Sequence, residues 1–475
     1  MVVEIPFNGG SAVSRSKFSN NQIRLNLYPE IERQEAKSRV VMYGTPGLLK
    51  LATLSLGQNV RGICAGHNGF LYAVCGTNAY KIDPVTGAVT VIGVIPGSGV
   101  VQMQTNLTQV IVVGGFSGGW YIITLSSNVL AFVTGAGFPT PDSVAFLDGY
   151  FILNNVGTGQ FFVTGLNDGT SLNILDFATA ESNPDAISSL FIDHRELWLF
   201  GPLSAEIWYN SASSGGFPFE RRLDAILEVG ISAKYSVSKL DNTVFWLTNQ
   251  FTVVRAQGYS PVIVSTSALS NEISKYSRID DAIAYSYYDR GHAFYVLTFP
   301  SVSKTWVYDA STGEWHQRAS SGMTRHLSTC YATIDGKHFI GSINTGSIYR
   351  MSEEYGSEDG MKIKRLMTTP YVHEKEIRLK MSSLRIVMQV GIGSNSSDPE
   401  DESPMIGMRY SDDYGNNWSN PMIVSLGKIG QFNTEVEFRR LGMFRTRLFE
   451  VEANTGRPIV FIKAVADMDM VERGN

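Results

Sequence analysis

The sequence predicts an all-β protein: a β-propeller of six or seven blades, set between an extended N-terminal arm and a C-terminal antiparallel β-sandwich. Three observations predict it. Only 17 % of the 475 residues are charged, while glycines number 46 and aromatics reach 11 %. Helical surfaces carry far more Glu and Lys, whereas strands and tight turns draw on aromatic, β-branched and glycine residues. A turn flanked by two β-rich runs recurs roughly every 40 to 50 residues, the period of a four-stranded blade. That period stops near Tyr355, where long alternating runs take over. Hydrophobic content of 43 % is ample for a sizeable core.

Residues 1–50 form the arm. Ser11 to Asn21 is polar and basic, and RLNLYPEIERQEAKSRV then leads into GTPGL at Gly44 to Leu48. Proline fixes φ and glycine admits positive φ, so Tyr28-Pro29 and Thr45-Pro46-Gly47 are expected to be turns. A short helix is expected over about Glu30 to Ser38. The segment reads as an extended assembly arm packing along another body, so removing residues 1–43 is expected to leave a folded protein.

Residues 51–355 carry the repeats. Turns near Asn68, Thr108, Asp148, His194, Asp241, Arg290 and Asp335 mark seven units. A closing blade shared between chain ends leaves six open as well. The strands that follow are alternating or continuously apolar, as at Phe245-Trp246-Leu247, which suits a core between blades. KIDPVTGAVTVIG and VYDASTGEWHQRA share a D-x-x-T-G frame, with Asp83 and Asp309 opening a turn and Gly87 and Gly313 supplying positive φ.

SEEYGSEDGMKIKR is a charged, Gly-punctuated linker, and residues 361–475 form the sandwich. Its acidic stretch Ser394 to Ser403 reads as a solvated hairpin tip. Ser411, Asp413, Gly415 and Trp418 fit S-x-D-x-G-x-x-W, the Asp-box of sialidases and related β proteins. Ser and Asp cap the amides of a tight turn, Gly takes positive φ and Trp covers the hairpin, so the motif serves structure and not catalysis. Arg439, Arg440, Arg445 and Arg447 are the densest cationic cluster and the candidate interface. Alternation places Arg445 and Arg447 on one face, with Arg439 offset across a turn at Gly442. Glu435, Glu437, Glu450 and Glu452 flank them, so cross-strand ion pairing is the competing reading.

No motif carries catalysis, and no catalytic, cofactor or metal residue is assigned. Cys64, Cys75 and Cys330 form neither a metal pattern nor an even disulfide framework. The seven histidines lack zinc-ligand spacing, and no phosphate-binding or dinucleotide fingerprint occurs. Arg195, Arg221, Arg222, Arg255, Arg278 and Arg290 are too scattered to recommend a sialidase site. A net charge of −5 and a pI near 5.9 oppose tight, general DNA binding. No signal peptide or membrane-spanning run is apparent, so the chain is expected to be soluble and made in the cytoplasm.

NLYPE followed by YGTPGL, the propeller body, and RYSDDYGNNWSNP with FRRLGMFRTRLFEVEA together resemble the tail-hub proteins of short-tailed bacteriophages. These are also called packaged-DNA stabilisation proteins or tail accessory factors. The resemblance implies a non-enzymatic virion protein, a six-fold hub (a homo-hexamer) that joins beneath the portal and its adaptor after packaging. It would close and extend the DNA channel, retain the genome, and anchor a tailspike, fibre, nozzle or needle, with no sequence-specific contact to the passing double-stranded DNA and no membrane insertion. A weakly charged, acidic body suits a channel along which DNA must slide. The alternative is a propeller that recognises a glycan or protein on a host surface, and the third class is a sialidase-type hydrolase.

Overall fold

Seven four-stranded antiparallel units follow one another in the computed structural model, which describes residues 2–5, 10–32, 35–181, 183–212, 216–375, 377–393 and 399–471. Blade one comprises Val60–Ala65, Leu71–Cys75, Asn78–Ile82 and Val89–Val94, and blades two to six repeat that pattern up to Glu314–Gln317. Blade seven takes Ser328–Ile334, Lys337–Ser342 and Ser347–Ser352 from the end of the repeats. Its fourth strand, Gly47–Thr53, comes from before blade one. The innermost strands of blades seven and one then pack side by side, so the ring is shut by hydrogen bonds between distant parts of the chain.

Hairpin chemistry explains the repeat. Two-residue turns that match strand twist need positive φ at both central positions. Asp148-Gly149, Arg290-Gly291 and Asp335-Gly336 meet this with glycine second, while His194-Arg195 and Asp241-Asn242 do so with two side-chain-bearing residues. All five join the first and second strands of a blade, so these turns lie on one face of the disc. The two D-x-x-T-G frames sit between third and fourth strands of blades one and six. Asp83 Oδ1 accepts the amides of Val85 and Thr86, and Gly87 has φ +72°. Between blades the core is apolar: Trp198, Phe200, Ile207, Val244, Trp246 and Val254 form one such layer.

The sandwich packs two sheets over one core. One sheet runs in the order Val436–Phe444, Leu379–Met388, Val460–Met470, Val40–Gly44, Leu27–Ile31, with Val2–Ile5 also paired to Val460–Met470. The facing sheet contains Met422–Ser425, Met405–Ser411, Thr446–Thr455 and Met361–Thr368. Leu27 and Met42 lie in the core with Ile386, Phe438, Phe449 and Phe461.

The N-terminal segment therefore packs along its own chain. Arg24–Leu25 bridges the outer strand of blade six, at Gln317, to Leu366 of the sandwich. Leu27–Ile31 and Val40–Gly44 make a hairpin in place of the expected helix, and residues 33–34 lie outside the described set. A helix over that stretch would have only Ile31 and Ala36 to bury, too little for an apolar stripe. Tyr28-Pro29 lies within a strand, not a turn. Gly47 also begins a strand, where a Cβ would collide with the carbonyl of Tyr355, so its need is for space and not for positive φ. Of the acidic stretch, 394–398 fall outside the described residues, while Pro399–Glu402 is a helical turn. Glu400 and Glu402 there pair with Lys362 at 2.6 Å and Lys428 at 2.7 Å. Among the described residues no helix is long and apolar enough to cross a membrane.

Candidate functional site

The Asp-box closes the turn after Met405–Ser411. Ser411 Oγ donates to Asp413 Oδ1 at 2.7 Å and accepts the Gly415 amide at 2.9 Å. The Asp413 carboxylate accepts the Asn417 amide at 2.8 Å, its Nδ2 at 2.6 Å, and the Asn416 amide at 3.1 Å. These donors, the Asn417 amide first and Ser411 next, hold the Asp413 carboxyl down to about 2. Gly415 has φ +84°, and its α-carbon faces Asn21, whose Nδ2 donates to the Tyr414 carbonyl at 3.1 Å. Phe18 packs on the Tyr414 ring, with centroids 4.3 Å apart. The turn thus holds the N-terminal segment. Trp418 stays half-buried under the Arg409 guanidinium, 4.8 Å from the ring centroid, and Arg409 is tied to Glu450.

The four arginines do not form one surface. Val436–Phe444 runs straight through Gly442, where Arg440 (φ +60°) and Gly442 (φ +74°) make a bulge against Leu379–Met388. The chain breaks at Arg445 and crosses to the facing sheet, so alternation does not relate Arg445 to Arg447. Arg447 is 2 % exposed. It forks onto Asp412 at 2.6 and 2.7 Å, donates to the Leu441 carbonyl, and stacks on Tyr410 (3.9 Å) and Phe444 (4.2 Å). It holds the corner between sheets and has no surface to offer a partner. Arg439 is exposed and paired along its own strand to Glu437 at 2.6 Å, while Arg440 and Arg445 are exposed at the bulge and the corner. The other flanking acids are used elsewhere, Glu435 by Arg385, Glu450 by Arg409 and Glu452 by Lys364.

The titratable groups inside the propeller are packing elements. His292 Nδ1 meets Asp309 Oδ2 at 2.8 Å beneath the second D-x-x-T-G turn. Burial pushes the His316 imidazole down to about 3 and His326 well below its ordinary value. It pushes the thiols of Cys64 and Cys330 up to about 12 and that of Cys75 to about 11. Among the described residues no group of three His, Cys, Asp or Glu could hold a metal ion.

The most elaborate polar construction is the seam between blades six and seven and the sandwich, which the motif reading missed. Arg24, Arg318, Arg325 and Arg365 are each 3 % exposed or less. Arg318 donates to the Pro46 carbonyl at 2.8 Å, and Arg365 to the carbonyls of Thr455 and Gly356 at 3.2 and 3.3 Å. Burial lowers the guanidinium pKa of Arg24, Arg325 and Arg365 to about 10, so all three stay charged at neutral pH. Asn26, 1 % exposed, donates to Ala319 O and Lys364 O at 2.8 Å and accepts the Ala319 amide at 3.0 Å. The one sequence signal was the glycine spacing of YGTPGL, because Gly44 leaves room for the Arg365 side chain.

Two family models match in tandem: "Bacteriophage P22 Gp10, beta-propeller" over residues 3–356 and "Bacteriophage P22 Gp10, beta-sandwich" over 364–469. No curated protein matches the sequence. Solved structures that it matches include the Neurospora crassa Pan2 WD40 domain, at 9 % identity and TM-score 0.44, covering 64 % of this chain and 94 % of that one. A chain of the mitotic checkpoint complex is 11 % identical with TM-score 0.41, over 68 % and 96 %. The computationally designed Ika8 protein is 9 % identical with TM-score 0.39, over 64 % and 99 %. Likenesses of that size carry no argument about function.

Proposed function

The chain belongs to the bacteriophage P22 Gp10 family and is a structural protein of the phage particle; on that premise we propose that it is the oligomeric hub of a short tail. In this reading six copies form a homo-hexamer beneath the portal and adaptor, prolong and close the DNA channel, retain the packaged genome and carry the distal tail proteins. The observation that carries it is the tandem match, propeller then sandwich, over nearly the whole chain.

The architecture is suited to the task. A propeller closed by its own N-terminal strand and riveted to a sandwich by buried Arg and Asn contacts is a rigid body with several faces. Its innermost strands lie side by side around much of the ring. Duplex DNA would run between copies and not through a single propeller. Sparse charge and a net −5 leave few phosphate contacts to hold the genome back.

Quantitative mass spectrometry of purified particles tests the reading, counting this chain against the portal protein. Half as many copies as portal subunits is the expected result. Absence from particles, or a count equal to that of the fibres, would overturn it.

A further inference from the structure

An outward-facing strand edge presents unpaired N–H and C=O groups, and folded proteins guard such edges with charge, proline, bulges or a covering strand. Most outer edges of this chain are guarded in one of these ways. Blade six is covered by Arg24–Leu25, and blade seven by Ser357–Glu358, whose Glu358 pairs with Leu48. Blade four's outer strand, Phe219–Leu227, carries Glu220, Arg221, Arg222 and Asp224. Blade five's, Ser260–Ile263, contains Pro261, which has no N–H to offer. Blade three's, Asp168–Thr179, carries two aspartates and two breaks of register.

Blades one and two differ. Their outer strands, Val89–Val94 (VTVIGV) and Val129–Thr134 (VLAFVT), hold no charge, no proline and, among the described residues, no partner on the outer side; Val129–Thr134 runs in unbroken register, while Val89–Val94 has one shift of register at Ile92. Val91 is 60 % exposed, Val129 58 % and Phe132 42 %. The two edges are neighbours, since Leu130 packs over Gly93, and they form one apolar belt on the rim.

The sandwich has the same contrast. At the two edges of one sheet, Val436–Phe444 is guarded by Glu437, Arg439, Arg440 and a bulge, and Leu27–Ile31 by Pro29. Met422–Ser425 (MIVS) pairs on one side only and is uncharged, with Ile423 62 % exposed and Met405 beside it 49 % exposed.

We infer that these edges meet between copies: the rim of blades one and two in one molecule receives the Met422–Ser425 edge of a second. Strand addition satisfies the open backbone groups of both edges, and uncharged apolar side chains face uncharged apolar side chains. Because the two surfaces differ, the contact is head-to-tail. Such contacts generate rings where the rotation closes. The inference builds on the oligomer of the proposed function and names its surfaces.

Cysteine pairs test it. The natural thiols Cys64, Cys75 and Cys330 are buried or half-buried, and the wild type controls for them. Full-length Val91→Cys, Phe132→Cys and Ile423→Cys chains are oxidised alone and as mixed pools, in solution and in particles that contain the chain. A disulfide-linked dimer that forms only when a rim variant is mixed with Ile423→Cys is the expected result. Val91→Lys with Phe132→Lys should abolish assembly while leaving the circular dichroism spectrum unchanged. Dimers from a rim variant alone, adducts to a different protein, or no mixed product in particles that hold the chain would each overturn the inference. The last of these leaves the hub standing. A mixed product from a chain that is absent from particles would instead support the contact and remove the hub.

Discussion

The layers between blades and the seam to the sandwich solve the same packing problem with opposite chemistry. Between blades, Trp198, Phe200 and Trp246 touch other apolar side chains, and the layers are made by strands close in sequence except where blade seven meets blade one. At the seam the contacts are buried guanidinium and amide groups on backbone carbonyls, the longest of them spanning roughly 270 to 340 residues, as Arg318 reaches Pro46 and Asn26 reaches Lys364. Apolar layers tolerate substitution by degrees, because their energy scales with buried area. A polar seam does not, because losing one partner strands the other in a dry interior. The propeller should therefore bend to mutation where the seam breaks.

The largest effect sharpens that contrast. Deleting residues 1–43 removes Leu27, Tyr28 and Met42 from the core, uncovers blade six and strands the carbonyl and amide of Ala319. The truncated chain should be insoluble or lose cooperative unfolding, as read by thermal circular dichroism. A soluble truncation with an unchanged melting profile would show that the N-terminal segment is the separable arm that its composition suggests.

Single substitutions come next. Trp246→Ala leaves a cavity between blades four and five and should cost about 3–5 kcal/mol by denaturant titration. Asn26→Ala removes three hydrogen bonds from a far smaller side chain and should still cost about 2–4 kcal/mol, most of it from the carbonyls left unpaired. If Asn26→Ala costs no more than a surface change, the seam is not the rivet proposed for it.

Acid should act on the propeller side of the seam. His316 is 1 % exposed and its pKa is held down to about 3, first by desolvation and then by the charge of Arg24. The unfolded chain binds that proton near pH 6.5, so its contribution to stability is lost as pH falls from about 6.5 toward 3. The slope is about 1.4 kcal/mol per pH unit for one proton. His326 acts in the same direction. His292, whose pKa is raised despite burial because Asp309 outweighs it, acts oppositely: its contribution is present below pH 6.5 and is lost as pH rises through its folded value. Denaturation midpoints of the wild type and His316→Gln between pH 4 and 7 should converge as pH falls, and parallel curves would refute the assignment.

The sequence showed the propeller because each hairpin announces itself locally. Asp335-Gly336 and Asp148-Gly149 are turn dipeptides, and Phe245-Trp246-Leu247 is a buried strand wherever it occurs. The seam was hidden because nothing local marks it. Arg447 reads as a surface charge until Asp412, Tyr410 and Phe444 surround it, and Arg365 gives no sign that Thr455 will receive it. Leu27 and Met42 lie in a polar stretch whose partners are more than 300 residues downstream, so its composition reads as an arm while its pairing makes it core.

The smallest effect separates the two readings of the Asp-box. Ser411→Ala removes one hydroxyl that joins Asp413 to the Gly415 amide, but Asp413 keeps its three contacts with Asn416 and Asn417. The turn should survive with a loss of about 1–2 kcal/mol, the net worth of the two hydrogen bonds that the buried Ser411 hydroxyl makes. A structural Asp-box predicts no further consequence, because the loss is spread over a hairpin that Phe18 and Asn21 also brace. Particle incorporation should then fall only as far as the melting temperature does. Incorporation that collapses while stability drops by no more than that amount would mean that the hairpin itself touches a partner, and it would move the assembly surface of the sandwich from Met422–Ser425 to the turn beside it.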